Sequence, residues 1–260
     1  MSLFFTECRG HATELATQYA GAFPYLLVLG GDGTLAEAIA GLMPLAERPK
    51  VGYIPIGTAN DVARTIGLPK NDILAGAQHF IGGTPHEFDE GRRDGGYFNY
   101  VAAFGAFTEV SYATPQEAKK QLGEAAYLLG AVKSLSTLKS RHVTVEYDDG
   151  CIEGEFLYGS MSNSTSVAGI VRLPSEMVCL GDGMSELVLV KNPGSVAGFG
   201  EIVESVLSQR FDSENLLILH TRQARFIFDK PVSWTRDGEA GGEYQDITLK
   251  NYECPVQMIF

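Results

Sequence analysis

The fold is decided by the stretch YLLVLGGDGT, residues 25–34. Its first five residues form a continuous apolar run, which is typical of a parallel strand that is covered on both faces. Glycines follow at once, and the apolar spacing from residue 35 to residue 42 predicts a helix. A strand, a glycine turn and a helix in this order predict one repeating unit of an α/β layer.

A second unit of the same kind follows in the chain. An apolar strand is predicted over residues 51–55, Gly57 and Thr58 come next, and a helix is predicted over residues 60–66. Because loops at the carboxyl ends of parallel strands line one crevice, we expect the polar side chains of the two units to converge. Those side chains are Asp32, Thr34, Thr58, Asn60 and Asp61.

These residue types suit a phosphorylated ligand. Glycines at a strand-to-helix turn let backbone N–H groups approach a phosphate, and the helix N-terminus adds partial positive charge. The carboxylate of Asp32 would repel a phosphate, so we interpret Asp32 as a ligand, direct or through water, of a phosphate-bound Mg²⁺. With Asp61 in the same crevice, a metal-bound nucleotide is indicated. The alternatives are a tight turn capped by Asp32 and Thr34, and a simple helix N-cap at Asn60 or Asp61.

The pattern changes after residue 85. Short alternating runs with turn signals between them predict a mostly antiparallel β domain, interrupted by a helical insert at about residues 116–138 and by a second helix at about 195–208. The predicted domains are therefore residues 1–85, an α/β nucleotide-binding domain, and residues 86–260, a β-sandwich.

Composition excludes several classes of protein. The 260 residues carry a net charge of −12, which disfavours a nucleic-acid binder. The four cysteines form no CxxC pair, which favours a reducing, cytoplasmic location, and the first residues do not form a signal peptide. The sequence has no GxxxxGK[ST] loop and no GxGxxG after a strand, so a P-loop kinase and a Rossmann dinucleotide site are both unsupported.

Six elements, in order along nearly the whole chain, resemble the diacylglycerol kinase catalytic domain family, which includes soluble bacterial lipid kinases and, more distantly, sphingosine and ceramide kinases. GGDGT at residues 30–34, with Glu37, resembles the family's GGDGTxxE motif, and residues 55–64 resemble PxGTxNDxAR. The other four are KQLGEAAY at 120–127, NSTSVAG at 163–169, DG at 182–183 followed by EL at 186–187, and DGE at 237–239. GGDGT also occurs in NAD kinases and phosphofructokinases, whereas the full set does not.

The resemblance implies an NAD kinase/diacylglycerol kinase-like fold and transfer of a phosphoryl group from ATP to a lipid hydroxyl, that of diacylglycerol or a related lipid alcohol. Asp237 and Glu239 would be the catalytic carboxylates, one of them accepting the hydroxyl proton. If their segment is extended, side chains two residues apart point to the same face. Taken alone, DGE is also typical of a surface turn.

The resemblance also implies the ligand contacts. The nucleotide would be bound by Thr6, Gly31, Asp32, Gly33, Thr34, Glu37, Gly57, Thr58, Asn60 and Asp61. Asp32 and Asp61 would hold the catalytic Mg²⁺, mainly through water. A second, structural Mg²⁺ would be held by the Asp182 side chain and the carbonyl groups of Cys179 and Met184.

One part of the family pattern has no counterpart here. The family begins with a strand, a glycine turn that contacts ATP and a helix, whereas this chain begins where the next strand is expected, at residues 3–6. This departure motivates an alternative, a catalytically silent domain that senses a nucleotide or a lipid. An NAD or sugar kinase of the same superfamily is a third interpretation.

A lipid substrate also implies transient contact with a membrane surface. Residues 88–142 are close to neutral within an acidic chain, so their cations are the predicted contact; a solvated helix face is the alternative. The cations concerned are Lys119, Lys120, Lys133, Lys139 and Arg141. Exposed β edges could in addition pair two copies into a homodimer.

Overall fold

A computed structural model describes residues 1–58, 60–93, 96–105, 139–167 and 171–260. The predicted helical insert, with the segment 120–127 and Lys119, Lys120 and Lys133, lies outside the described residues, as do Ala168 and Gly169. The contacts divide the chain into two units. The first unit consists of Met1–Tyr100, Leu180–Gly183 and Asn251–Phe260, and the second of Val101–Cys179 and Met184–Lys250. The first unit therefore extends past the predicted boundary near residue 85.

The first unit alternates helices and strands, as the sequence predicts. Its elements are α1 (His11–Tyr19), a 3₁₀ turn (Ala20–Ala22), β1 (Tyr25–Gly30), α2 (Asp32–Leu42), β2 (Lys50–Pro55), α3 (Asp61–Thr65), α4 (Ile73–Gly82), β3 (Pro85–Arg93) and β4 (Gly96–Phe98). Helix α4 was not expected from the sequence. Its N-cap is Asp72, whose carboxylate accepts a hydrogen bond from Ala75 N–H at 2.9 Å.

Parallel pairing organises the sheet of this unit. β1 and β2 run parallel with Gly30 opposite Pro55, so both strands end at the same edge. The last residues of the chain add a further parallel partner to β2, with Met258 opposite Val51. An α/β sheet whose strands end together at one edge is confirmed, and that edge carries both glycine loops.

The prediction that β1 is covered on both faces is wrong. Only Val28 of this strand is buried, and Tyr25 and Leu29 are 53% and 43% exposed. The reason is that β1 lies at one end of the strand order and pairs with β2 alone among the described strands. Residues 3–6, the expected neighbouring strand, are exposed and form no strand.

The second unit is built mainly from antiparallel strands. Its elements are β5 (Val101–Gly105), β6 (Arg141–Tyr147), β7 (Gly150–Ser162), β8 (Ser166–Val167), β9 (Val171–Arg172), a 3₁₀ turn (Ser175–Met177), β10 (Ser185–Lys191), α5 (Val196–Leu207), β11 (Leu216–Thr221), β12 (Gln223–Arg236) and β13 (Glu239–Ile259), whose last residues belong to the first unit. The predicted second helix corresponds to α5.

One continuous ladder joins most of these strands. The order is β13-β12-β5-β7-β10-β11, and β6 pairs with both β12 and β7. The long strands β7 and β12 pair with β5 at one end and with β6 at the other, which bends the ladder around a core. Phe104, Phe226, Phe228 and Trp234 fill that core, with ring centroids 4.9 to 6.2 Å apart. The predicted β-rich second domain is confirmed.

Within the part of the chain that the structure describes, no helix combines the length and the apolar character needed to cross a bilayer.

Candidate functional site

The two glycine loops pack against each other directly. Gly30 ends β1, and its carbonyl accepts hydrogen bonds from the N–H groups of Ile56 (2.9 Å) and Gly57 (3.2 Å), which follow β2. A Cβ placed on Gly57 would lie 2.4 Å from Gly31 Cα, so the two backbones leave no room for a side chain at that position. The predicted convergence of the two loops is thus present in the first unit.

Asp32 joins the two motifs. It is the first residue of α2, it is 8% exposed, and its two carboxylate oxygens accept hydrogen bonds from Asp61 N–H (3.0 Å) and Val62 N–H (3.2 Å) at the start of α3. The residue that precedes α3, Asn60, makes no side-chain cap of its own. Asp32 therefore caps a helix that begins 29 residues later, a role that sequence reasoning missed.

We expect Asp32→Ala to lower the free energy of unfolding by about 2–3 kcal/mol, because it leaves two backbone donors at α3 without their acceptor. Asp32→Asn keeps one acceptor oxygen and should cost about half as much. Urea denaturation measures both. Asp72→Ala is the matched control, since Asp72 is an exposed cap with one bonded N–H, and it should cost about 1 kcal/mol. Equal losses for Asp32→Ala and Asp72→Ala would contradict the double cap.

Asn60 is committed to holding the second loop. It is 1% exposed and has a left-handed backbone with φ of 55°, a conformation that Asn tolerates. Its Oδ1 accepts from Tyr53 O–H at 3.2 Å, and its Nδ2 donates to Gly57 C=O at 2.8 Å. Tyr53 lies on β2, so the side-chain amide of Asn60 is hydrogen-bonded both to that strand and to the loop that follows it. Tyr53 was not singled out from the sequence. Its position within a predicted buried strand could have indicated it, because a buried tyrosine hydroxyl usually has a hydrogen-bond partner.

Burial, joined by the negative charges of Asp32 and Asp61, raises the pKa of Tyr53 well above its ordinary value of 10.0. In the unfolded chain the phenol ionises near that ordinary value, whereas in the folded protein it stays neutral, so unfolding releases a proton and stability falls as pH rises above about 10. Because the phenol of the unfolded chain is already half ionised at pH 10, we expect the wild type to lose about 1 kcal/mol more stability than Tyr53→Phe between pH 10 and 11. Urea denaturation at several pH values measures the slopes, and Tyr252→Phe, an exposed control, should follow the wild type. Parallel slopes for Tyr53→Phe and the wild type would show that Tyr53 does not carry this dependence.

Asp61 lies on the outer side of this cluster. Its Oδ1 forms an ion pair with the Arg64 guanidinium at 3.0 Å, and its side chain is 17% exposed. Its backbone N–H is bonded to Asp32, which keeps the two acidic residues in direct contact. The two oxygens of a carboxylate together offer about four lone-pair sites, and carboxylate oxygens are ligands of Mg²⁺ in proteins. Two neighbouring carboxylates completed by water are the donor set that Mg²⁺ accepts, and this set fits the predicted ion.

The other predicted nucleotide contacts are distributed unevenly. Gly31 is the N-cap of α2, Gly33 and Thr34 lie in its first turn, and Thr58 is exposed on the second glycine loop, so these four lie on the two loops that Asp32 joins. Glu37 points elsewhere: its Oε1 accepts from Gly10 N–H at 2.8 Å, at the start of α1. Thr6 lies in the exposed segment before α1. The nucleotide roles of all these residues, including Glu37 and Thr6, stay predictions.

The DGE segment has a different conformation from the one expected. Asp237 and Gly238 both have positive φ (47° and 81°), and Arg236 pairs with Glu239. They form a two-residue turn between β12 and β13, so the expectation of an extended segment with both carboxylates on one face is wrong. The half-buried Asp237 is held by β5: its Oδ1 accepts from Val101 N–H at 3.1 Å and its N–H donates to Val101 C=O at 2.9 Å. Glu239 is exposed. Their catalytic roles stay predictions.

The second metal site also stays a prediction. Cys179 and Asp182 are exposed and Met184 is half-buried. The loop at Leu180–Gly183 belongs to the first unit, where the fully buried Asp89 accepts from Gly183 N–H at 2.6 Å and donates its own N–H to Leu180 C=O at 2.7 Å. Among the described residues, no group of three or more His, Cys, Asp or Glu side chains is placed to hold a metal. Any ion at this loop would therefore depend on backbone carbonyls, as the prediction has it.

Known proteins resemble the chain over most of its length. The diacylglycerol kinase catalytic domain family matches residues 1–92. A diacylglycerol kinase of Bacillus subtilis is 34% identical over 239 residues, which are 91% of this chain and 78% of that protein. A diacylglycerol kinase of Staphylococcus epidermidis is 33% identical over 253 residues, 93% of this chain and 76% of that protein.

Solved structures show the same fold. A Bacillus anthracis protein provisionally named a diacylglycerol kinase superposes with a TM-score of 0.79 at 26% identity, covering 98% of this chain and 82% of that one. An NAD kinase from Archaeoglobus fulgidus, solved in complex with ATP, has a TM-score of 0.51 at 14% identity, covering 95% of this chain and 80% of that one, which shows likeness of fold alone.

Proposed function

The chain belongs to the diacylglycerol kinase family, and from that premise we propose that it transfers the γ-phosphoryl group of ATP, in the presence of Mg²⁺, to the hydroxyl of diacylglycerol or a related lipid alcohol. One observation carries the proposal: a single carboxylate, that of Asp32, ties the GGDGT turn to the start of α3 in the second motif. The two glycine loops, which would bind the phosphates of ATP, are therefore held together by these hydrogen bonds.

The phosphate contacts would come from the backbone. Gly31 and Gly33 place N–H groups at the start of α2, where the partial positive charge of the helix favours an anion. Gly57 brings the backbone of the second loop against the first with no side chain between them. Asp32 and Asp61 would hold the Mg²⁺ that accompanies ATP. When bound, that ion would neutralise charge on the phosphate oxygens as it builds up during transfer.

The transfer step would use one carboxylate of the turn between β12 and β13. The lipid hydroxyl oxygen forms a bond to the γ-phosphorus while the bond from that phosphorus to the bridging oxygen breaks, and ADP leaves with the electron pair. The hydroxyl proton passes to a carboxylate, for which we propose Asp237. Its backbone anchor on Val101 fixes the position of its side chain, whereas Glu239 is exposed.

The experiment is transfer of label from [γ-³²P]ATP to lipids in detergent-mixed micelles. We expect label on diacylglycerol or a related alcohol, and loss of the label when EDTA is added. Ceramide, sphingosine and NAD are the parallel acceptors. Label on NAD alone would replace the proposal with an NAD kinase. Calorimetric binding of MgATP without transfer to any acceptor would replace it with a silent sensor.

A further inference from the structure

Strand β1 has an open edge. Among the described strands it pairs with β2 alone, and its last residue, Gly30, accepts from Ile56 N–H on the side of β2. Backbone groups alternate in direction along a strand, so the even-numbered residues face β2. Tyr25, Leu27 and Leu29 therefore direct their N–H and C=O groups away from β2. Within the part of the chain that the structure describes, no strand pairs with these groups.

This edge lacks the features that keep edge strands apart. Natural edge strands usually carry a charged side chain, a proline or a bulge, each of which hinders pairing with another chain. β1 has the sequence YLLVLG, and it pairs with β2 without a register shift. Residues 15–31 contain no charged side chain, although the whole chain has a net charge of −12. Two acidic copies can therefore meet at this edge with little local repulsion between like charges.

Apolar side chains are exposed beside the open edge. Tyr25 and Leu29 are 53% and 43% exposed, and they lie on the same face of the strand because they are four residues apart. Helix α4 covers this face only in part. Its Phe80 contacts Tyr25 edge to face, with ring centroids 6.0 Å apart, and Leu29 stays exposed. A further strand along the edge would cover apolar surface as well as pair the backbone.

A second copy of β1 fits this edge in an antiparallel register centred on Leu27. A twofold axis normal to the sheet places Leu27 opposite its own counterpart, and it places Tyr25 of each copy opposite Leu29 of the other. All three residues direct their backbone groups to the open edge, so each facing pair can exchange both of its N–H···O=C bonds. The exposed side chains of Tyr25 and Leu29 become cross-strand neighbours on one face. The edge is thus complementary to itself.

We propose that two copies of the chain associate through the open edge of β1, as an antiparallel pair centred on Leu27 that continues the sheet from one copy into the other. One short strand from each copy makes a small interface, so the association is weak and depends on protein concentration. It requires neither ATP nor a lipid, and it is independent of the proposed function.

The test is sedimentation velocity of the whole chain without nucleotide, between about 1 and 200 µM, a range suited to a weak interface. The wild type should pass from the mass of one chain toward that of two. Leu29→Lys should weaken the association at least about tenfold, because it places a charge on the edge. Leu207→Lys is the matched control: Leu207 is 49% exposed at the end of α5, and its replacement should leave the association unchanged.

Two double variants test the register. Tyr25→Lys with Leu29→Lys places like charges opposite each other twice, whereas Tyr25→Glu with Leu29→Lys places opposite charges there. Because facing charges contribute about 0.2–1 kcal/mol per pair and like charges repel, the second variant should associate at least about tenfold more tightly than the first. Equal association of the two would overturn the register and with it the proposal.

Hydrogen exchange of the wild type gives a measurement that needs no substitution. The amide protons of Tyr25, Leu27 and Leu29 should exchange more slowly at about 200 µM than at about 1 µM, since pairing protects them. Unchanged exchange in a sample that is dimeric by mass would place the interface elsewhere and overturn the proposal. A wild type that stays monomeric at every concentration, or a Leu29→Lys variant that associates like the wild type, would also overturn it.

Discussion

Gly57→Ala is expected to reduce MgATP affinity and lipid phosphorylation at least about 100-fold and to lower the free energy of unfolding by about 2–4 kcal/mol. The added Cβ would lie 2.4 Å from Gly31 Cα, 3.1 Å from Gly31 N and 2.8 Å from Asn60 Oδ1. Two of these three atoms are backbone, so no rotamer change can relieve the overlap.

The loops would have to move apart, and their shared contacts would be lost with that movement. Ile56 and Gly57 both donate to Gly30 C=O, and Gly31 C=O in turn accepts from Leu35 N–H at 3.1 Å inside α2. A shift of the second loop therefore removes the bonds to Gly30, while the first loop is held by its helix. A displacement of about 1 Å in groups that position a reacting phosphate is enough for a 100-fold loss of rate.

Gly33→Ala is the matched control for stability. A Cβ on Gly33, in the first turn of α2, would meet nothing within 4 Å, and alanine is the better helix former by about 1 kcal/mol. Urea denaturation should therefore show Gly33→Ala at or above the wild type and Gly57→Ala well below it. A Gly57→Ala protein with wild-type stability and wild-type MgATP affinity would mean that the two loops are not in contact in solution.

The convergence of these loops could be predicted because it follows from a general property of parallel sheets. Two strands that each end in a glycine turn and a helix place those turns at one edge whatever the rest of the fold does. The hydrogen bonds between them could not be predicted in the same way. That Asp32 caps α3 depends on where α3 lies, and neither composition nor spacing specifies its position to within an ångström.

The errors have separate physical causes. β1 was expected to be covered on both faces because five consecutive apolar residues are typical of a central strand. Its burial depends instead on the strand order. β2 pairs with β1 along one edge and with the last residues of the chain along the other, which leaves β1 at the end of the order. The turn at Asp237 was given only as the alternative to an extended segment, although Asp-Gly between two strand patterns is a strong hairpin signal.

Asp237→Asn is expected to lower kcat by about 10²–10⁴-fold while leaving the free energy of unfolding within about 0.5 kcal/mol of the wild type. Asparagine can take over the structural contacts of this aspartate. Its Oδ1 can accept from Val101 N–H, it tolerates a positive φ, and Asn-Gly is a favoured pair for this type of turn. What the substitution removes is the negative charge and the ability to take up a proton.

Asp237→Ala separates the structural contribution from the chemical one. Alanine cannot accept from Val101 N–H and is strained at a positive φ, so we expect a loss of about 1–3 kcal/mol in stability in addition to the loss of activity. If the carboxylate served only the turn, Asp237→Asn would be active and Asp237→Ala alone would be impaired. Urea denaturation and steady-state kinetics with saturating ATP measure the two effects independently.

Glu239→Gln decides which carboxylate of the turn takes the proton. Glu239 opens β13 and is exposed, so its replacement should reduce kcat by no more than about tenfold and leave MgATP affinity unchanged. A large loss in Glu239→Gln with an active Asp237→Asn would assign the proton acceptor to Glu239. Full activity in both variants would remove this turn from the chemistry. The turn does not place the two side chains on one face, as an extended segment would. An equally large loss of kcat in Asp237→Asn and Glu239→Gln would therefore mean that each carboxylate makes its own contact with the reacting groups.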